Sequence, residues 1–159
     1  VNEILTNPDG TMIAQTIQLA LAPVFVLVAI GSIIGSLTQR LGRVVDRSRQ
    51  LQDQYEATEG QAHDKIVREI RSLDERIALI GHALRLMVMA SISIGITVII
   101  LFVEEFANLG INVFAAGAFI IAICLLMWAL LLFLKETRLA TEVLRIDDMY
   151  LESDRDLEL

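Results

Sequence analysis

VFVLVAIGSIIGSLTQRLGRVVDRSR, residues 24–49, passes from an uncharged apolar run into four arginines and one aspartate with no break between them. Such a stretch reads as one helix that starts in hydrocarbon and continues into water. Residues 17–37 carry no charge, and neither do 86–103 or 113–134. Each run is near the ~20 residues that cross ~30 Å of hydrocarbon as a helix. In lipid a helix satisfies its own backbone hydrogen bonds, so helices are the expected spanning form. The 159 residues are 55% hydrophobic with a mean hydropathy of +0.60, more apolar sequence in fewer blocks than a soluble domain carries.

The expected fold is therefore all-α and integral to a membrane, with three transmembrane helices at about 16–38, 84–104 and 112–134. Residues 1–15 form an outer N-terminal arm, with a turn at Asn7-Pro8-Asp9-Gly10. Residues 39–85 form a cytoplasmic helical hairpin, 105–111 an outer loop, and 135–159 a cytoplasmic C-terminal helix and tail. The first span lacks the basic flank and small-residue cleavage site of a signal peptide. Pro23 removes a hydrogen bond to the Leu19 carbonyl inside that span.

All thirteen Lys and Arg residues lie in 40–85 or 135–155. The 1–39 segment and the 104–112 loop hold only Glu3, Asp9, Glu104 and Glu105. The excess of basic residues on cytoplasmic loops places the amino terminus outside and the carboxyl terminus in the cytoplasm, as expected for an inner (plasma) membrane protein. The net charge of −7 and the interleaving of basic with acidic residues argue against nucleic acid as a partner. A lone Cys124 makes no intrachain disulfide.

Past the first span the apolar pattern narrows rather than stopping. Leu37, Leu41, Val44, Ser48, Leu51 and Tyr55 follow alternating steps of four and three, and so do Ile66, Ile70, Leu73, Ile77, Ile80 and Leu84. Two such seams predict an antiparallel coiled-coil hairpin. The polar stretch EATEGQAH, residues 56–63, contains Gly60 and supplies the turn. Leu139, Val143, Ile146 and Tyr150 repeat the spacing beyond span three and predict a third cytoplasmic helix. Asp64–Arg68 and Arg71–Glu75 are placed for pairing along one helix face.

Arg40, Arg43 and Arg47 share one face of the helix that leaves the membrane, where anionic headgroups contribute ~1 kcal/mol per basic residue. With Asp46 they are expected at the inner interface, contacting lipid or a neighbouring subunit. A small-residue span followed by LTQRLGRVVDRSRQL, with RLGRVVDR at 40–47 the most telling part, resembles a family of small bacterial membrane proteins. That family is known only as domain of unknown function 2721. The resemblance covers roughly residues 12–145 and implies a bacterial envelope protein of this helical layout, with no activity, substrate or cofactor attached.

No zinc-ligand spacing, phosphate-binding glycine loop or Ser–His–Asp set is visible, so no catalytic residue, metal ligand or cofactor is assigned. His63 with Glu59 and Asp64 at the hairpin tip reads as a solvated turn, and His82 as an interfacial polar anchor. The spans lack the ionisable residues and broken paired repeats of carriers. They do carry small residues in register. Gly31, Gly35, Thr38 and Gly42 share a face, and Ser91–Gly95 and Ala118–Ala122 repeat the spacing, which permits close helix approach. Self-association is the expected use of that face. Ser32, Ser36, Ser91, Ser93 and Thr97 are then candidates to face water in an assembly. Glu104 and Glu105 would form an outer acidic collar that concentrates cations, although acids at a helix carboxyl end oppose its dipole. The resulting expectation is a non-enzymatic homo-oligomer that conducts cations. The alternative is an accessory or scaffold subunit of a larger membrane complex.

Overall fold

The structure, a computed structural model, describes residues 8–107 and 110–143. Three helices account for almost all of them: α1 (Pro8–Tyr55), α2 (Gln61–Ala107) and α3 (Asn112–Val143). Each is long and apolar enough to cross a membrane. At 1.5 Å per residue, the 48 residues of α1 and 47 of α2 run ~70 Å, about twice a hydrocarbon crossing. The two rods therefore continue well past the apolar segments.

Helix α1 begins earlier than the sequence suggests. Pro8, Asp9 and Gly10 lie in its first turn, so residues 8–15 of the expected outer arm are helical. A proline at the first helical position loses nothing, because its missing N–H would have had no partner there. Residues 1–7 lie outside the description, as do Ile146 and Tyr150 of the expected third cytoplasmic helix; α3 is described to Val143.

α2 is the middle element, packed against both α1 and α3. Its partner residues repeat every seven positions. α1 buries Ile30, Leu37, Val44 and Leu51, and α2 buries Ile66, Leu73, Ile80, Met87 and Ile94, all in one cluster. A seven-residue repeat of apolar side chains keeps one stripe facing its neighbour along 30–51 of α1 and 66–94 of α2, which run antiparallel. The link at 56–60 closes the pair. Gly60 takes φ +66°, a left-handed conformation that side chains disfavour, and its carbonyl accepts from the Asp64 N–H at 3.2 Å. The Tyr55 and His63 rings meet across the link at 4.5 Å.

The α2–α3 contact is built differently. α3 buries Ala115, Ala122 and Ala129, and α2 buries Ala83, Ala90 and Thr97, again at seven-residue steps. Small side chains let two backbones approach closely, which is how helices gain packing energy where lipid removes the hydrophobic drive. The approach is close enough for the Ser93 hydroxyl of α2 to donate to the Ala118 carbonyl of α3 at 2.7 Å. Continuing both alanine rows by one step reaches Arg76 and Glu136. Large apolar side chains meanwhile point outward, among them Phe25 at 69% exposure and Trp128 at 63%. That surface is suited to lipid, and the chain is a membrane protein.

Candidate functional site

At the end of the apolar segments nearer the hairpin link, one carboxylate ties the three helices together. Glu136 of α3 has a fully buried side chain. Its Oε1 accepts from Arg76 Nη2 at 2.9 Å and Nε at 3.1 Å, and its Oε2 accepts from Arg40 Nη1 at 3.2 Å. Arg40 comes from α1 and Arg76 from α2, so each helix contributes one member. The Arg40 guanidinium also lies over the Phe133 ring, 5.3 Å from its centroid, where the ring's negative face attracts a cation. A buried charge without partners would cost several kcal/mol, and here two guanidiniums occupy the Glu136 oxygens.

Two more exposed ion pairs flank this node. Arg47 Nε donates to Glu69 Oε1 at 2.8 Å between α1 and α2, and Lys135 Nζ donates to Glu75 Oε1 at 3.2 Å between α3 and α2. The hydrogen bond to Glu69 holds the Arg47 guanidinium above its already high ordinary pKa. Glu75 thus pairs with α3 rather than with Arg71 along its own helix. Arg68 Nε donates to the Asp64 backbone carbonyl, 3.3 Å away, instead of pairing with its carboxylate. Arg43 and Asp46 form no ion pair among the described residues.

Between the three helices beside this node is a cavity of about 380 Å³. Arg40, Arg43, Arg47 and Arg76 line it together with Thr137 and Thr141. The arginine face of residues 40–47 therefore meets α2 and α3 of its own chain: Arg40 and Arg47 are ion-paired within the subunit, and Arg43 and Asp46 are exposed. Glu136 and Arg76 did not stand out in the sequence. The signal that leads to them is the seven-residue alanine spacing on α2 and α3, which both continue.

The small-residue face lies on the other side of α1. Gly31, Gly35, Thr38 and Gly42 are all exposed, and at the three glycines a side-chain carbon would meet nothing within 4 Å. Ser32 and Ser36, one residue on from Gly31 and Gly35, are exposed beside them. The polar residues of α2 are disposed differently. Ser91 donates to the Met87 carbonyl at 2.9 Å, Thr97 to the Ser93 carbonyl at 3.0 Å, and Ser93 to α3 as above. Thr97 is buried, and Ser91 and Ser93 are half-buried.

Glu104 has a local task. Its carboxylate accepts from the Gly110 N–H at 3.0 Å and the Ile111 N–H at 2.8 Å, just ahead of α3. These amides lie at the positive end of the next helix, which offsets the unfavourable end of α2 where Glu104 sits. Glu105 is half-buried on the same turn. At this end a second, mainly apolar cavity of about 270 Å³ opens around Pro23, Thr97 and Phe119. Among the described residues no three His, Cys, Asp or Glu side chains group as a metal site.

No curated protein and no solved structure matches the chain. The family model described as Protein of unknown function (DUF2721) matches residues 20–146. That match takes in the whole node, from Arg40 to Glu136, and most of all three helices, so the chain belongs to the DUF2721 family.

Proposed function

We propose that the chain acts as a non-enzymatic, homo-oligomeric protein of the bacterial inner membrane whose assembly conducts cations. The observation that carries this reading is the exposure of Gly31, Gly35, Thr38 and Gly42. None of them serves packing within the subunit, and open space lies over the three glycines. A face of this kind in an apolar helix suits the close approach of another helix, and a second copy of α1 is the simplest one. The neighbouring stripe of Ser32 and Ser36 would then lie beside the contact, facing the axis of a ring. The confinement of Lys and Arg to 40–85 and 135–155 supports an outer amino terminus and a cytoplasmic link between α1 and α2. The seven-residue repeat of buried side chains supports a coiled-coil hairpin for the projecting part.

Purified protein reconstituted in a planar bilayer should pass a cation current, and Ser36→Leu should reduce it. A stable oligomer that passes no current at any voltage or pH tested would exclude conduction. The alternative, a scaffold subunit of a larger membrane complex, is favoured by one observation. Ser91, Ser93 and Thr97 spend their hydroxyls on carbonyls within the chain, leaving only Ser32 and Ser36 of the five polar candidates on an exposed face.

A further inference from the structure

We propose that the cavity beside the Glu136 node binds a phosphoryl group, carried either by an anionic phospholipid headgroup or by a free phosphate. Its volume of about 380 Å³ falls within the ~300–1,000 Å³ of small-molecule pockets. Four arginines are among its lining residues, and two carboxylates are ion-paired to them: Glu136, shared by Arg40 and Arg76, and Glu69 on Arg47. Two positive charges are therefore left over at the cavity, Arg43 having no ion pair among the described residues. Asp46, on the same turn, does not line it.

The geometry of the donors suits the same ligand. A guanidinium carries five N–H groups in a planar fork that matches phosphate oxygens. Arg40 uses only Nη1 on Glu136, and Arg47 uses only Nε on Glu69, so each keeps a free edge. Because Glu136 and Glu69 hold these side chains in place, binding would order fewer of them. The cavity also lies where the charge-free runs 17–37 and 113–134 end, which is headgroup level for helices that cross a bilayer. Every lining residue belongs to one chain, so this inference stands apart from the oligomeric reading.

The test uses the full chain in lipid nanodiscs. One arm compares phosphatidylglycerol with phosphatidylcholine by counting lipids retained in native mass spectrometry. The other titrates inorganic phosphate against protein in phosphatidylcholine, reading thermal stability. Arg43→Gln removes a cation that no ion pair depends on, and should weaken binding about tenfold by loss of one charge-assisted contact. Arg43→Lys should recover part of it, and Arg49→Gln, exposed on α1 outside the cavity, should leave binding unchanged. Selective retention of phosphatidylglycerol identifies the headgroup as the source, and phosphate stabilisation without lipid preference identifies the free anion. Absence of both effects overturns the proposal, and so does an Arg49→Gln loss as large as that of Arg43→Gln.

Discussion

Replacing Glu136 by Gln keeps the side chain's shape and removes the charge that Arg40 and Arg76 share. Breaking a buried ion pair from one side costs roughly 3–5 kcal/mol, because the remaining charge stays desolvated. Here the side chains of Arg40 and Arg76 are 31% and 18% exposed, so water screens them partly and the low end, about 3 kcal/mol, is expected. The flanking pairs make the comparison. Arg47–Glu69 is 47% and 29% exposed and Lys135–Glu75 is 58% and 53% exposed, which puts each at about 0.5 kcal/mol or less. Thermal unfolding of the purified protein in detergent, followed by circular dichroism, should show a large fall in midpoint for Glu136→Gln and almost none for Lys135→Gln. Joint replacement by Arg40→Met, Arg76→Met and Glu136→Leu should recover much of the loss, since apolar substitutes for a buried ionic cluster are often neutral or stabilising. Equal midpoints for Glu136→Gln and Lys135→Gln would refute the idea that this carboxylate clamps the helices.

Gly35→Leu should lower the oligomer fraction in size-exclusion chromatography while leaving the subunit's melting unchanged, because nothing lies within 4 Å of the new side chain's first carbon. Leu73→Asp buries a charge at a position only 6% exposed and should destabilise the α1–α2 pair by about 3 kcal/mol or more, measured by the same melting assay. Ser93→Ala should cost only about 0.6 kcal/mol, the usual worth of an interhelical hydrogen bond in a membrane. Ala122→Leu, which forces the α2 and α3 backbones apart, should cost about 1–3 kcal/mol and rank above it in the same assay.

The three apolar runs and both apolar seams were legible in the sequence because each depends on a repeated local pattern. Leu37, Val44, Leu51, Ile66, Leu73 and Ile80 are buried as their spacing implies, and Leu41, Ile70, Ile77 and Leu84 pack against them. The node was not legible. A charge after twenty apolar residues reads as an exit into water, so Lys135 and Glu136 look alike, yet one is exposed and the other fully buried. What separates them is register: Glu136 is seven residues beyond Ala129 in the row that faces α2, and Lys135 is not. Glu136 lies 96 residues beyond Arg40 and 60 beyond Arg76, out of the reach of helix-face spacing. Glu104 shows the same limit, since its acceptor role depends on amides brought close by the connection to α3.

The most direct measurement is the mass of the detergent-solubilised protein, expressed without partners and corrected for bound detergent by light scattering. Self-association through α1 predicts a single species at an integral multiple of the 17.7 kDa chain. A monodisperse particle of 17.7 kDa, unchanged in mass by Gly35→Leu, would contradict it.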